Sequence, residues 1–152
     1  MEDLRRLLSR SLRTASRHFR AQLAEFELSG SQATAILFLS EREGATVREL
    51  AGALSADLAT ASALVDRLMS QGWVRRETDP TDRRRARLLL TEKARDVVQP
   101  LTEATQRTNA LLVEALGAEQ ASELASILAR LVDRLDEQSM SAAASRKDAG
   151  EA

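Results

Sequence analysis

The 152 residues amount to one domain's worth of chain. Hydrophobic residues make up 43% and charged residues 30%, a balance that fits a folded soluble protein rather than a disordered one. There is no cysteine, no tyrosine and a single histidine, which excludes disulfides and thiolate chemistry and leaves little for acid–base catalysis or metal binding. An enzyme is therefore not expected, and no cofactor is implied. No apolar run reaches the ~18 residues of a membrane span, and Met1-Glu2-Asp3-Leu4-Arg5-Arg6 lacks a signal peptide's apolar core, so the expected location is the cytoplasm, with no membrane partner.

The net charge of -1 conceals an uneven distribution. Residues 1–20 carry +4, residues 21–66 carry -5, residues 67–95 carry +5 and residues 96–152 carry -5. A basic segment between acidic ones points to a local polyanion contact rather than a generally adhesive surface. Leucine and alanine dominate the apolar residues and aromatics reach only 3%, so the expected class is mainly α.

In chain order, Leu4, Leu7, Leu8, Leu12, Ala15, Phe19, Leu23 and Phe26 step by threes and fours. They predict one amphipathic helix over residues 2–27, ~39 Å long at 1.5 Å per residue, long enough to need a partner. Ser29 and Gln32 have capping-box spacing and open a second helix that stops near Gly44. Thr46-Val47-Arg48-Glu49 is another capping box, opening a short helix through Leu54. After the tight Ser55-Ala56 connection, Asp57 caps a fourth helix with Ala61, Leu64, Val65 and Leu68 inward, closed by Gly72. Two short helices around so brief a turn form a helix-turn-helix. Strands are expected at Trp73–Glu77 and Ala86–Leu90, flanking an arginine-rich loop: a wing, with Trp73 packed at its base.

From Thr91 the pattern is helical again. Val97, Leu101, Ala104, Thr108, Leu111 and Ala115 form one heptad-like seam, and Ala121, Leu124, Leu128, Leu131 and Leu135 another. Pro100 either kinks the first of these helices or marks its true start. Residues 139–152 are small and polar, and are expected to be a disordered tail. The expected organisation is a single domain over 1–138, with a core at 29–91 and partner-seeking helices at 2–27 and 92–138.

The stretch Asp79-Pro80-Thr81-Asp82-Arg83-Arg84-Arg85-Ala86-Arg87-Leu88-Leu89-Leu90-Thr91 resembles the wing signature of the MarR family of bacterial transcription regulators. Leu50-Ala51-Gly52-Ala53-Leu54, Thr60, Ser62, Leu64-Val65-Asp66-Arg67-Leu68 and Gly72-Trp73-Val74 resemble that family's helix-turn-helix. The resemblance covers residues 4–138. It implies a winged helix-turn-helix with long N- and C-terminal dimerisation helices. It further implies a homodimer on a palindromic operator in double-stranded DNA, with the helix from Asp57 in the major groove and the wing around Arg84 in the minor groove. It also implies a small organic effector, here a small aromatic or phenolic molecule, in a crevice between the dimer helices and the winged lobe. The sequence departs from the family at Leu58 and Ala63, where basic or larger polar residues are common, at the Asp57 cap, and at Ala94, where glycine often follows Leu-Thr. Operator choice would then depend more on DNA shape than on direct readout.

Each site residue has a plainer alternative. Arg83, Arg84, Arg85 and Arg87 form either a solvated hairpin or phosphate and minor-groove contacts, the latter favoured by the preceding helix-turn-helix. Asp82 and Asp66 support the wing by holding an arginine; the resemblance pairs Asp66 with Arg84. Thr60 and Ser62 touch phosphates or bases, or Thr60 merely caps its helix; Ala59 and Ala63 suit thymine methyls, with Leu58 on the same helix. Thr46 and Arg48 meet a phosphate at a helix start, or Thr46 only caps. Arg67, Arg75 and Arg76 are backbone contacts. Arg13, Arg17, His18 and Phe19 line an effector crevice, or belong to a solvated helix face. Two other readings stand beside the repressor: a helical protein–protein interaction module without DNA binding, and a metal-sensing winged-helix repressor, which the missing cysteines disfavour.

Overall fold

The computed structural model describes residues 3–149, with side chains up to Gln138. The elements are α1 (Leu4–Leu23), a 3-10 turn (Ala24–Phe26), α2 (Gly30–Glu41), α3 (Val47–Ala53), α4 (Leu58–Ser70), β1 (Val74–Thr78), β2 (Ala86–Leu90), α5 (Glu92–Leu116) and α6 (Ala118–Ala149). They fall into two compact units, one up to Thr108 and one from Asn109 onward, and α5 runs across the boundary.

The first unit owes its shape to its helix starts. Asp3 caps α1 through Arg5 N at 3.0 Å. Ser29 with Gln32 and Thr46 with Glu49 form full capping boxes on α2 and α3. Such pairs satisfy amide groups that a helix start leaves open, so the boundaries are set locally. α1 is shorter than expected: at Leu23 it tightens into the 3-10 turn, and Glu27, in the left-handed region at φ 55°, redirects the chain toward the Ser29 cap. The core gathers Leu23, Ile36, Leu39, Leu50, Val65, Leu68, Leu88 and Leu101, all fully buried. Ala94 is fully buried as well, so this departure from the family pattern is accommodated within the core.

β1 and β2 pair antiparallel with Val74 opposite Leu90 and Thr78 opposite Ala86. Val74, Leu88 and Leu90 on the inner face are buried, Arg75 and Glu77 lie on the other face, and Arg76, on the inner face beyond Val74, is exposed. β2 is also bonded to the α2–α3 connection: Gly44 N donates to Leu88 O at 3.0 Å and Leu88 N to Ala45 O at 2.8 Å. Gly44 sits at φ +83°, and the Arg87 guanidinium packs where a side chain at Gly44 would be. The hairpin is thus tied to the helix-turn-helix.

α5 already begins at Glu92, so Pro100 lies inside it and does not mark its start. In the second unit, Leu124, Ile127, Leu128, Val132 and Leu135 of α6 are exposed. α6 continues to Ala149, into the stretch expected as a tail. Ala142, Ala143 and Ala144 lie in this stretch, and alanine's helix propensity outweighs the polar composition. The expected helix start at Glu2 and the end of the tail, Gly150 to Ala152, lie outside the described residues.

Candidate nucleic-acid interface

α3 and α4 meet through Ser55, in the left-handed region at φ 48°, whose neighbour Ala56 N donates to Ala51 O at 2.9 Å. Asp57 then caps α4: its Oδ1 accepts from Thr60 N at 2.6 Å. That bond, first of all, holds the Asp57 carboxyl below its usual range. Ala61, Val65 and Leu68 anchor one side of α4 in the core. By helical spacing Ala59, Ala63, Asp66, Arg67 and Ser70 share the opposite side, all exposed. This outward strip is narrow in polar reach, with methyl groups at its centre and Arg67 at its edge. Leu58 is exposed at the helix start and Ser62 is half-buried beside the strip.

Thr60 faces elsewhere. With Ala61 and Leu64 it lines an open cavity of about 570 Å³, together with Leu12 of α1, Ser31 and Thr34 of α2, and Ala53, Leu54 and Ala56 of the α3 end and turn. Its amide is spent on Asp57, so the capping alternative holds for its main chain. Thr46 is likewise a cap. Its N and Oγ1 donate to Glu49 Oε2 at 2.8 and 2.9 Å, and its Oγ1 accepts from Glu49 N at 3.2 Å. The backbone bond from Thr46, ahead of the hydroxyl, lowers the Glu49 pKa. Arg48, in the first turn of α3, is exposed.

Two aspartates build the wing loop. Asp79 Oδ1 accepts from Thr81 Oγ1 at 2.6 Å, Thr81 N at 2.8 Å and Asp82 N at 3.3 Å. The threonine hydroxyl is the largest cause of the lowered Asp79 pKa. Asp82 Oδ1 accepts from Arg84 N at 3.0 Å, and Arg85 N donates to Asp82 O at 2.9 Å. Asp-turns of this kind fix a loop from within. They leave Arg83, Arg84 and Arg85 exposed, with no ion-pair partner among the described residues.

The expected pairing of Asp66 with Arg84 is corrected. Asp66 Oδ1 takes Arg76 Nη2 at 3.3 Å, because β1 follows α4 directly and carries Arg76 back alongside it. Arg84 belongs to the turn that Asp82 holds. Arg75 is paired with Glu77, and Arg87 is half-buried against Gly44, so these two are less available than the loop arginines. Asp82 bonds the Arg84 main chain rather than its guanidinium.

Arg13, Arg17 and His18 are exposed on α1 and do not line the cavity. Phe19 packs against the core and lies near Gly30, so it stabilises the α1–α2 contact. One residue escaped the sequence reading altogether. Lys93 lies 3.9 Å from the centroid of the Trp73 ring and donates to Gln71 O at 2.9 Å. A lysine in the first turn of a helix runs against that helix's dipole, and this misplacement was the available signal.

Residues 26–85 match the family model described as MarR family. The HTH-type transcriptional regulator TtmR of Methylorubrum extorquens (strain PA1) is 39% identical over 79 residues, covering 52% of this chain and 40% of that regulator's length. Among solved structures, the transcriptional regulator SlyA superposes with TM-score 0.82 at 24% identity, over 90% of this chain and 96% of that one, a likeness of fold. The transcriptional repressor CouR, bound to a 23-mer DNA duplex, gives 0.78 at 28% identity, over 86% and 93%. A mutant MarR from E. coli complexed with operator DNA gives 0.78 at 25% identity, over 84% and 92%.

Proposed function

We propose that the chain is a member of the MarR family, a homodimeric, cytoplasmic repressor that binds a palindromic operator and is released by a small phenolic ligand. The observation that carries DNA binding is the wing. Three exposed arginines, without ion-pair partners among the described residues, stand on a loop stiffened from within by Asp79 and Asp82, directly after a helix-turn-helix. Guanidinium groups presented in this way suit phosphates and the minor groove. α4 supplies the partner surface, a methyl-rich strip at Ala59 and Ala63 with Arg67 alongside, suited to shape-dependent readout. MarR-family regulators bind DNA and are not enzymes. Among the described residues no helix is long and apolar enough to cross a membrane.

Dimerisation is supported by apolar side chains left in solvent: Leu4 and Leu12 on α1 are 66% and 69% exposed, and Leu135 on α6 is 52% exposed. Ligand relief is supported by the cavity beside Thr60, whose size suits a small molecule. Its lining offers hydroxyls at Ser31, Thr34 and Thr60 and no charged side chain, which favours a phenol over a carboxylate. Selection of bound duplexes from a random pool, then footprinting, tests the operator. A footprint with two-fold symmetry and half-sites ~10 bp apart is expected, and a protein that selects nothing refutes the proposal. Titrating the complex with phenol and benzoate panels tests the ligand; release by neither removes that part.

A further inference from the structure

The end of α4 hands three successive main-chain carbonyls to the start of α5. Lys93 Nζ donates to Gln71 O at 2.9 Å. The Thr91 hydroxyl donates to Gly72 O at 2.7 Å, with Trp73 O at 3.2 Å, and Thr91 N donates to Trp73 O at 3.1 Å. The same hydroxyl accepts from Ala94 N at 3.3 Å and so caps α5. Beyond its carbonyl, the Lys93 ammonium lies over the buried Trp73 ring. On the far side, Gln71 Oε1 accepts at 2.5 Å from Nε2 of Gln32, the buried capping-box residue of α2.

The placement of Lys93 makes sense only across this junction. At the start of α5 a cation is unfavourable, whereas at the C-terminal carbonyls of α4 it is favoured. Its ring contact adds a cation–π attraction that fixes the ammonium where the carbonyl needs it. Thr91, which caps α5, and Lys93 in its first turn thus grip both the C-terminal end of α4 and the residue that precedes the wing. A tilt of α5 would carry α4 with it.

We propose that Thr91 and Lys93 form a joint through which the start of α5 sets the direction of α4, and that Lys93 is a positioning residue for sequence-selective DNA binding. This rests on the DNA-binding reading above. The joint touches no outward residue of α4, so it acts on fit to a chosen sequence and not on phosphate attraction.

The test uses the full chain with Lys93→Met, which keeps the stem and removes the charge, Lys93→Arg, which keeps charge and stacking, and Thr91→Val. Each is measured on a duplex selected by the wild type and on a scrambled duplex of equal length, over a salt series. Trp73 is the sole tryptophan, so its emission reports the joint directly. Lys93→Met is expected to weaken the selected duplex about tenfold, as the loss of a cation–π contact and a helix-end charge implies. The scrambled duplex should change by less than about twofold, with the salt slope kept; a phosphate contact would instead flatten it by ~0.9. Lys93→Arg should recover the loss, and both Lys93→Met and Thr91→Val should alter Trp73 emission and speed amide exchange at Gly72 and Trp73. Equal losses on both duplexes with a flatter slope, or no loss on either, overturn the positioning role. If the wild type selects no duplex, the DNA-binding reading fails; unchanged emission and exchange in Lys93→Met would overturn the joint itself.

Discussion

Replacing Arg83, Arg84 and Arg85 together by alanine separates the wing's charge from the rest of the basic surface. None of the three has an ion-pair partner among the described residues, whereas Arg75, Arg76 and Arg95 are paired with Glu77, Asp66 and Glu43. If each loop arginine meets a phosphate on both wings of a dimer, six contacts vanish and the log–log salt slope flattens by ~5 at ~0.9 per contact. If one arginine per wing lies in the minor groove away from phosphate, the figure is ~4. Fluorescence anisotropy with a labelled duplex, at ~50 to ~200 mM salt, reads a slope of this size as a roughly 10³-fold range of affinity. The double change Arg75→Ala/Glu77→Ala removes a neutral pair and should move the slope by less than ~1. An unaltered slope in the triple variant, or an equal flattening in the double one, would refute the assignment of the wing as the main phosphate contact.

Asp66→Ala should have no further effect on DNA affinity once Arg76 is alanine, yet add to the effect of Arg84→Ala, as two thermodynamic cycles sharing Asp66→Ala would report. Gly44→Ala meets both a positive φ and the Arg87 guanidinium; the backbone term alone costs about 1–2 kcal/mol, a fall in melting temperature of roughly 2–8 °C. Asp57 has a lowered pKa in the folded chain, so its cap contributes fully above the ordinary carboxylate range and is lost as pH falls through the lowered value. Asp57→Asn, which still caps, should flatten that acid limb in thermal melts; an unaltered limb would show that the cap does not contribute to it.

The parts of this fold that announce themselves locally were legible in the sequence. Ser29 with Gln32, Thr46 with Glu49, and Asp57 mark helix starts because a short oxygen-bearing side chain satisfies amides two or three residues on. The hairpin was legible from Leu88 and Leu90, which alternate inward. What escaped depends on tertiary register. Asp66 could be matched to several arginines by composition, and only the path of β1 selects Arg76. Thr60 looks like a groove residue until helical phase and the position of α1 turn it toward a cavity. Lys93 stands out only as a cation at the wrong end of its helix, and its partners, one main-chain carbonyl and a ring, come from other elements.

The acidic residues near the basic surface look at first like obstacles to DNA, since a free carboxylate facing phosphate opposes binding. Their partners remove the difficulty. Asp57 is turned to Thr60 N, Glu49 to the Thr46 amide and hydroxyl, Asp79 to Thr81 and the Asp82 amide, and Asp82 to Arg84 N. Each carboxylate is neutralised in part by N–H groups at a helix start or a tight turn, where negative charge is favoured. For Asp57, Glu49 and Asp79 the lowered pKa follows from that same bonding, so they remain charged and bonded at neutral pH. The acids are thereby committed to shaping the backbone, and none of them forms an ion pair with the loop arginines among the described residues, Arg85 acting on Glu49 only at longer range. Had Asp79 or Asp82 paired with the guanidinium groups instead, the wing would present neutral ion pairs. The sequence Asp79-Pro80-Thr81-Asp82 therefore does two things at once: it closes the turn, and it keeps the arginines that follow available to an external anion.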